Sequence, residues 1–199
     1  MMLRRLCFCA LLAAALAACG APEPPPAHFA DFRFDREPPI RLKVAKIDVV
    51  DAFRPSFQPP AVEHEFPVPP QRALEALGRD RLQAVEPASQ RIARFVIEDA
   101  GVRESELPRT PGIKGAFTID QAERYDGHVA VRLEIIDESG RTVRVARAEA
   151  VRTSSVAEGI TLNERDQTWY DMTRELVGAL DKELQRQIDA GFYPYIDLN

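Results

Sequence analysis

Three histidines, His28, His64 and His128, are the side chains best suited to move a proton near neutral pH, and they are scattered along the chain without the short spacing of a zinc site. One of them sits between two carboxylates, in Glu63-His64-Glu65. A closed metal site takes three or four converging groups, so this triplet reads as a solvated loop unless the fold brings another donor to it. His128, between Gly127 and Val129, is expected to face solvent from a strand. Asp120, Glu123 and Asp126 are close enough in sequence to act as the paired carboxylates of a hydrolase, one giving a proton and one taking it. Acidic residues ahead of a strand are equally an ordinary wet surface. No Gly-x-Ser-x-Gly turn occurs, and Ser154-Ser155 is expected in a turn after a strand. Pro111-Gly112-Ile113-Lys114-Gly115 has the glycines and lysine of a phosphate loop but not the Walker spacing, and reads as a turn. Trp169 could stack a sugar or a lipid; on the apolar stripe of a helix it reads as core. The expectation is a protein without metal or cofactor that is not an enzyme.

The cysteines carry a different message. Met1 to Arg5 includes Arg4 and Arg5, and an unbroken apolar stretch follows from Leu6 to Ala18. That stretch is well short of the roughly 20 residues a spanning helix needs, but it suits the short apolar region of a secretory signal. It ends Leu16-Ala17-Ala18-Cys19-Gly20, which resembles the lipobox of bacterial lipoproteins. The resemblance implies a signal peptide over residues 1–18, cleavage between Ala18 and Cys19, and acylation of the Cys19 thiol. More than one acyl chain on that terminus would make the anchor lasting, since a single chain binds a bilayer only marginally. Gly20 stands where, in well-studied lipoproteins, Asp favours inner-membrane retention, so an outer-membrane lipoprotein facing the periplasm is expected. Cys7 and Cys9 would leave with the signal, so the mature domain would be held by its core with no disulfide. Its net charge would pass from −5 to −7 as Arg4 and Arg5 are lost. An acidic mature domain is a poor match for nucleic acid or an anionic lipid surface, which clustered Lys and Arg would serve, so no nucleic-acid partner is expected.

The elements that position these residues follow from proline content and apolar period. Residues 19–39, with Pro22, Pro24, Pro25, Pro26, Pro38 and Pro39, read as a lipidated terminus and semi-rigid tether, with Phe29, Phe32 and Phe34 set to dock back on the domain. Residues 40–199 then form one domain. Ile40 to Phe53 reads as a strand whose alternation slips by one near Ala45 and Lys46, as at a bulge. Arg54 to Pro70 is a proline loop. A helix is expected from Pro70 to about Val85, with Leu74, Leu77, Leu82 and Val85 on one stripe. Gly78 lies in the middle of that stripe, where a close approach to the sheet would explain it. Arg91 to Val102 and Tyr125 to Asp137 are strands, the second with Val129, Val131, Leu133 and Ile135 in strict alternation. A turn at Asp137-Glu138-Ser139-Gly140 leads into a partner from Arg141 to Thr153, where Ala146, Ala148 and Ala150 would let a helix lie close. Thr161 and Glu164 form a capping box for a long helix with Trp169, Met172, Leu176, Val177, Leu180 and Leu184 on one face, ending at Gly191. The aromatic tail from Phe192 to Ile196 is expected to pack on the domain or on a partner.

The order β-α-β-β-β-α predicts an α+β two-layer sandwich, a mixed four-stranded sheet with two helices on one face. Lipobox, proline spacer and element order together resemble small envelope lipoproteins such as the auxiliary lipoproteins of ABC-type transporters and the lipopolysaccharide-assembly lipoprotein. The resemblance implies a membrane-anchored, non-enzymatic adaptor or auxiliary component of a transport or envelope-assembly complex, with an envelope protein as partner. A lipid- or glycan-binding module under the helices, or a cell-envelope hydrolase, are the alternatives.

Overall fold

The computed structural model describes residues 28–108 and 121–198. The predicted signal peptide, Ala18 and Cys19, the turn from Pro111 to Gly115 and Asp120 all lie outside the described residues.

Two short parallel strands, β1 (Ile40–Leu42) and β3 (Leu82–Ala84), form one small sheet. The main sheet has the order β2-β4-β5-β6, with β2 (Lys46–Asp51) parallel to β4 (Ile92–Glu106) and the remaining pairs antiparallel. β5 is Gln121–Ile136 and β6 is Thr142–Ala157, joined by the expected turn with Gly140 in the left-handed region at φ 79°. Helices α1 (Pro70–Arg81) and α2 (Leu162–Gly191) cover one face. The mixed four-stranded sheet with two helices is thus the α+β architecture predicted, and the small sheet is added to it.

Strict alternation explains the sidedness. Phe95, Ile97, Val129, Val131, Leu133 and Ile135 are all buried beneath the helices, and Ala146, Ala148 and Ala150 let α2 settle against β6. Gly78 is where α1 meets the sheet. A Cβ built there would stand 2.8 Å from Cδ1 of Phe95 and 3.2 Å from Cγ2 of Val49, so only glycine fits. The capping box of α2 has both of its bonds, and the apolar stripe from Trp169 to Leu184 is buried as the spacing required.

Three local readings are corrected. The phase slip near Ala45 is no bulge: the chain leaves the small sheet after Leu42 and enters the main sheet at Lys46, so the two phases belong to two sheets. The first helix stops at Arg81, because β1 offers an open edge to the residues that follow; Val85 N–H donates to the Leu42 carbonyl at 3.0 Å. Tertiary pairing overrides a stripe that could have continued as helix. Ser154 and Ser155 lie within β6, paired with Tyr125 and Arg124, not in a turn.

Both chain ends of the described domain are tied down. Phe32 stacks on Tyr170 with ring centroids 4.6 Å apart, Phe34 N–H donates to Asp80 at 3.0 Å, and Arg72 pairs with Asp31 at 2.8 Å. The phenylalanines thus strap the segment before β1 across α1 and α2. At the other end Phe192 and Ile196 are buried, and Lys43 N–H donates to the Tyr195 carbonyl at 2.8 Å, so the tail extends the edge of the small sheet.

Candidate functional site

Where β2 ends, the chain swings out as the proline loop and returns as Pro60 to Val62 beside β4, with Val62 N–H donating to the Val102 carbonyl at 3.0 Å and Glu104 N–H to that of Pro60 at 2.8 Å. The loop roofs a cleft of about 400 Å³ against β4 and β5, with Phe53, Pro59 and Pro60 on one wall and Asp99, Asp126 and His128 on the other. A bulge in β4 between Ile97 and Asp99 makes this wall. The extra residue shifts the phase, returning Ala100 and Val102 to the core while turning Asp99 to the outer face of the sheet.

There Asp99 bridges two groups. Its Oδ1 accepts from Gly101 N–H at 3.0 Å, and its Oδ2 lies 2.7 Å from His128 Nδ1. The other ring nitrogen, Nε2, lies 3.7 Å from the Glu149 carboxylate. His128 does face outward from its strand, as the sequence indicates, but between two carboxylates. The array offers carboxylate oxygens to a cationic or hydrogen-bond-donating ligand. The nearby hydroxyl of Thr153 donates to Asp126 at 2.7 Å, and Arg124 donates to the same oxygen at 2.8 and 3.0 Å. Arg124 first, and then Thr153, hold the Asp126 carboxyl below the usual carboxylate range, so it serves as an ionised acceptor.

The other candidates are dispersed. Glu123 and Asp126 leave β5 on opposite faces: Asp126 is on the outer one, whereas Glu123 accepts from the Tyr125 hydroxyl on the helix side. Strand alternation therefore forbids them to work as paired carboxylates. Burial, and then the bond to Glu123, push the Tyr125 hydroxyl well above its ordinary range. Burial followed by repulsion from Glu123 raises the Glu104 carboxyl. In the single turn Glu63–Glu65, Glu63 is buried with Oε2 accepting from Val102 N–H at 3.3 Å, while Glu65 turns outward and His64 packs edge-on to Phe57. Among the described residues no group of three or more His, Cys, Asp or Glu side chains is placed to hold a metal ion. His28 is exposed and remote from the other two histidines in the chain. Trp169 is core, stacked on Phe66 at 4.8 Å with the Arg165 guanidinium 4.5 Å above its ring.

Asp99 is the residue that sequence reasoning missed. The continuous apolar run Phe95-Val96-Ile97, all three buried, hides the alternation just ahead of it, and the bulge shows only in the pairing of β4 with β5.

Among the described residues no helix is long and apolar enough to cross a membrane. No protein-family profile and no curated protein matches the chain. Among solved structures the chain is similar to a minor lipoprotein from Acinetobacter baumannii, at 15% identity and a TM-score of 0.39 over 78% of this chain and 97% of that one. It is also similar to the PelC dodecamer from Paraburkholderia phytofirmans, at 15% identity and a TM-score of 0.22 over 72% of this chain and 91% of that one.

Proposed function

We propose that this chain is a lipid-anchored lipoprotein on the periplasmic side of the outer membrane, and that its domain acts as a non-enzymatic adaptor for a transport or envelope-assembly complex. The observation that carries the reading is Leu16-Ala17-Ala18-Cys19 at the end of a basic and then apolar leader. The phenylalanine strap gives that anchor a mechanical consequence. Phe29 lies 5.1 Å from the Tyr170 ring, and from Cys19 to Phe29 the chain can span at most roughly 35 Å, so the domain stays within that reach of the bilayer. The cleft under the proline loop is the surface offered to a partner protein. A lipid or glycan held beneath the helices draws no support from that layer, where Leu74, Leu77, Leu176 and Leu180 are wholly buried. A hydrolase built on Glu123 and Asp126 draws none from β5, which parts them.

The test is metabolic labelling of cells with a clickable fatty acid, followed by membrane fractionation and intact-mass measurement. The native protein should carry label, lack residues 1–18 and sediment with outer membranes, and Cys19→Ala should abolish the label. A photo-crosslinker in place of Phe57, exposed at the rim of the loop, should then capture a discrete envelope protein from wild-type cells and lose it in Cys19→Ala. An uncleaved leader, or an unmodified amino terminus on the native protein, would overturn the anchor and the adaptor reading with it.

A further inference from the structure

β6 is an edge of the main sheet: one side pairs with β5, and no strand borders the other among the described residues. It is long, sixteen residues. Such an edge presents a row of unpaired N–H and C=O groups, which makes it a template for another strand unless proline, a bulge or a covering loop blocks it. From Val145 to Val151 none of these occurs among the described residues, and the sequence reads Val-Ala-Arg-Ala-Glu-Ala-Val. It is chemically palindromic about Ala148. We propose that β6 pairs antiparallel with β6 of a second copy about a two-fold axis through Ala148, joining the two sheets into one.

The register follows from the chemistry. In an isologous pair every contact occurs twice, so the strand must be complementary to its own reversal. About Ala148, Val145 faces Val151 of the copy, Arg147 faces Glu149, and Ala146 faces Ala150. The charged and valine positions lie on the outer face of the sheet, because the three alanines are buried under α2. The two α2 helices would therefore run antiparallel on one side of the joined sheet. The side chains are unspent in the single chain. Arg147 stands directly opposite Arg132 of β5 and forms no ion pair among the described residues, whereas Arg132 is occupied by Glu98 and Glu134. The Glu149 side chain is 78% exposed and lies 3.7 Å from His128. A copy's Glu149 would relieve the two like charges, as opposite charges across an antiparallel pair do. Val145 and Val151, 36% and 62% exposed, would cover each other. On the helix side Arg144 would meet Arg152 of the copy, but Arg152 is already paired with Glu175 at 3.5 Å, which brings a carboxylate to that contact. This pairing does not depend on the anchor or on the adaptor reading.

Charge reversal provides the test, on the full chain purified in detergent and followed by light scattering and chemical crosslinking at low salt. Wild type should be a dimer. Arg147→Glu and Glu149→Arg should each weaken it about tenfold or more, since each sets like charges against each other twice. The double variant, Arg147→Glu with Glu149→Arg, should dimerise as wild type does. An equimolar mixture of the two single variants should give the heterodimer, which also shows that both are folded. Val151→Lys, at an exposed site, should weaken the dimer as well. A wild-type monomer at the highest soluble concentration, or a dimer indifferent to both single reversals, would overturn the proposal.

Discussion

At the scale of single residues, the sequence marks positions of tension more clearly than it marks chemistry. Gly78 is an example, for a glycine in the middle of a helical stripe lowers helix propensity by about 1 kcal/mol against alanine, and so needs a reason. The reason is the Phe95 ring, which is wholly buried and 2.8 Å from where a Cβ would stand. Because that ring cannot swing into solvent, Gly78→Ala should lose more from overpacking than it gains in propensity, a net destabilisation of about 1–3 kcal/mol. Urea titration followed by Trp169 fluorescence measures it, and adding Phe95→Leu should return part of the loss. A stabilised Gly78→Ala would mean that α1 can move off the sheet without cost. Asp99 shows the opposite situation. Nothing in its identity distinguishes it from other acidic surface residues, and only the bulge, a property of phase, turns it toward His128. Composition could not have paired the two.

At the scale of elements, the two long antiparallel strands and the capped helix were legible because each carries its period over many residues: Val129 to Ile135 by alternate burial, Trp169 to Leu184 by the helical stripe. The short parallel strands were not. Ile40–Leu42 and Leu82–Ala84 have three residues each, too few to show a period, and each exists only because the other supplies an edge. The strap before β1 was legible through its phenylalanines but not through Asp80, which fixes its register. The Asp80 carboxyl is held below its ordinary range chiefly by the Phe34 amide, and then by Arg33 at 3.0 Å. A carboxyl depressed in the folded state stabilises docking at every pH above its unfolded value, near 4, and loses that contribution as the pH falls through its folded value. Protection of the Phe34 amide against hydrogen exchange should therefore be constant from neutrality to about pH 5 and decline below about pH 4. Asp80→Asn should lower it at all pH values while leaving the exchange of β4 and β5 unchanged. Equal loss of protection in β4 would show that the strap is part of the global fold and not a local attachment.

At the scale of the whole molecule, a chain whose cysteines all lie at or before position 19 must hold its layers together by packing and a few directed contacts. One arginine concentrates these. Arg81, 5% exposed at the end of α1, pairs with both oxygens of Asp181 in α2 at 3.0 and 3.2 Å, donates to Gln185 at 3.3 Å and to the Pro38 carbonyl ahead of β1. It thus joins both helices and the entry to the small sheet. The two partners are a hundred residues apart in the chain. No local pattern links them, so the sequence shows Arg81 only as a basic residue near a helix end. Planar guanidinium geometry is what lets one side chain serve these acceptors at once, and lysine could not reproduce it. Removing one member of a buried pair leaves the other charge desolvated and uncompensated, a cost that exceeds the net worth of the pair. Arg81→Ala should therefore lower stability by about 3 kcal/mol. The loss should appear as one cooperative transition at lower denaturant with an unchanged slope, since the contact spans the molecule. Replacing both partners by Arg81→Met and Asp181→Leu should cost less than Arg81→Ala alone, because no unpaired charge remains. Two separate transitions in Arg81→Ala would instead show that the small sheet and the main sheet fold as independent units, with Arg81 acting only as a hinge pin between them.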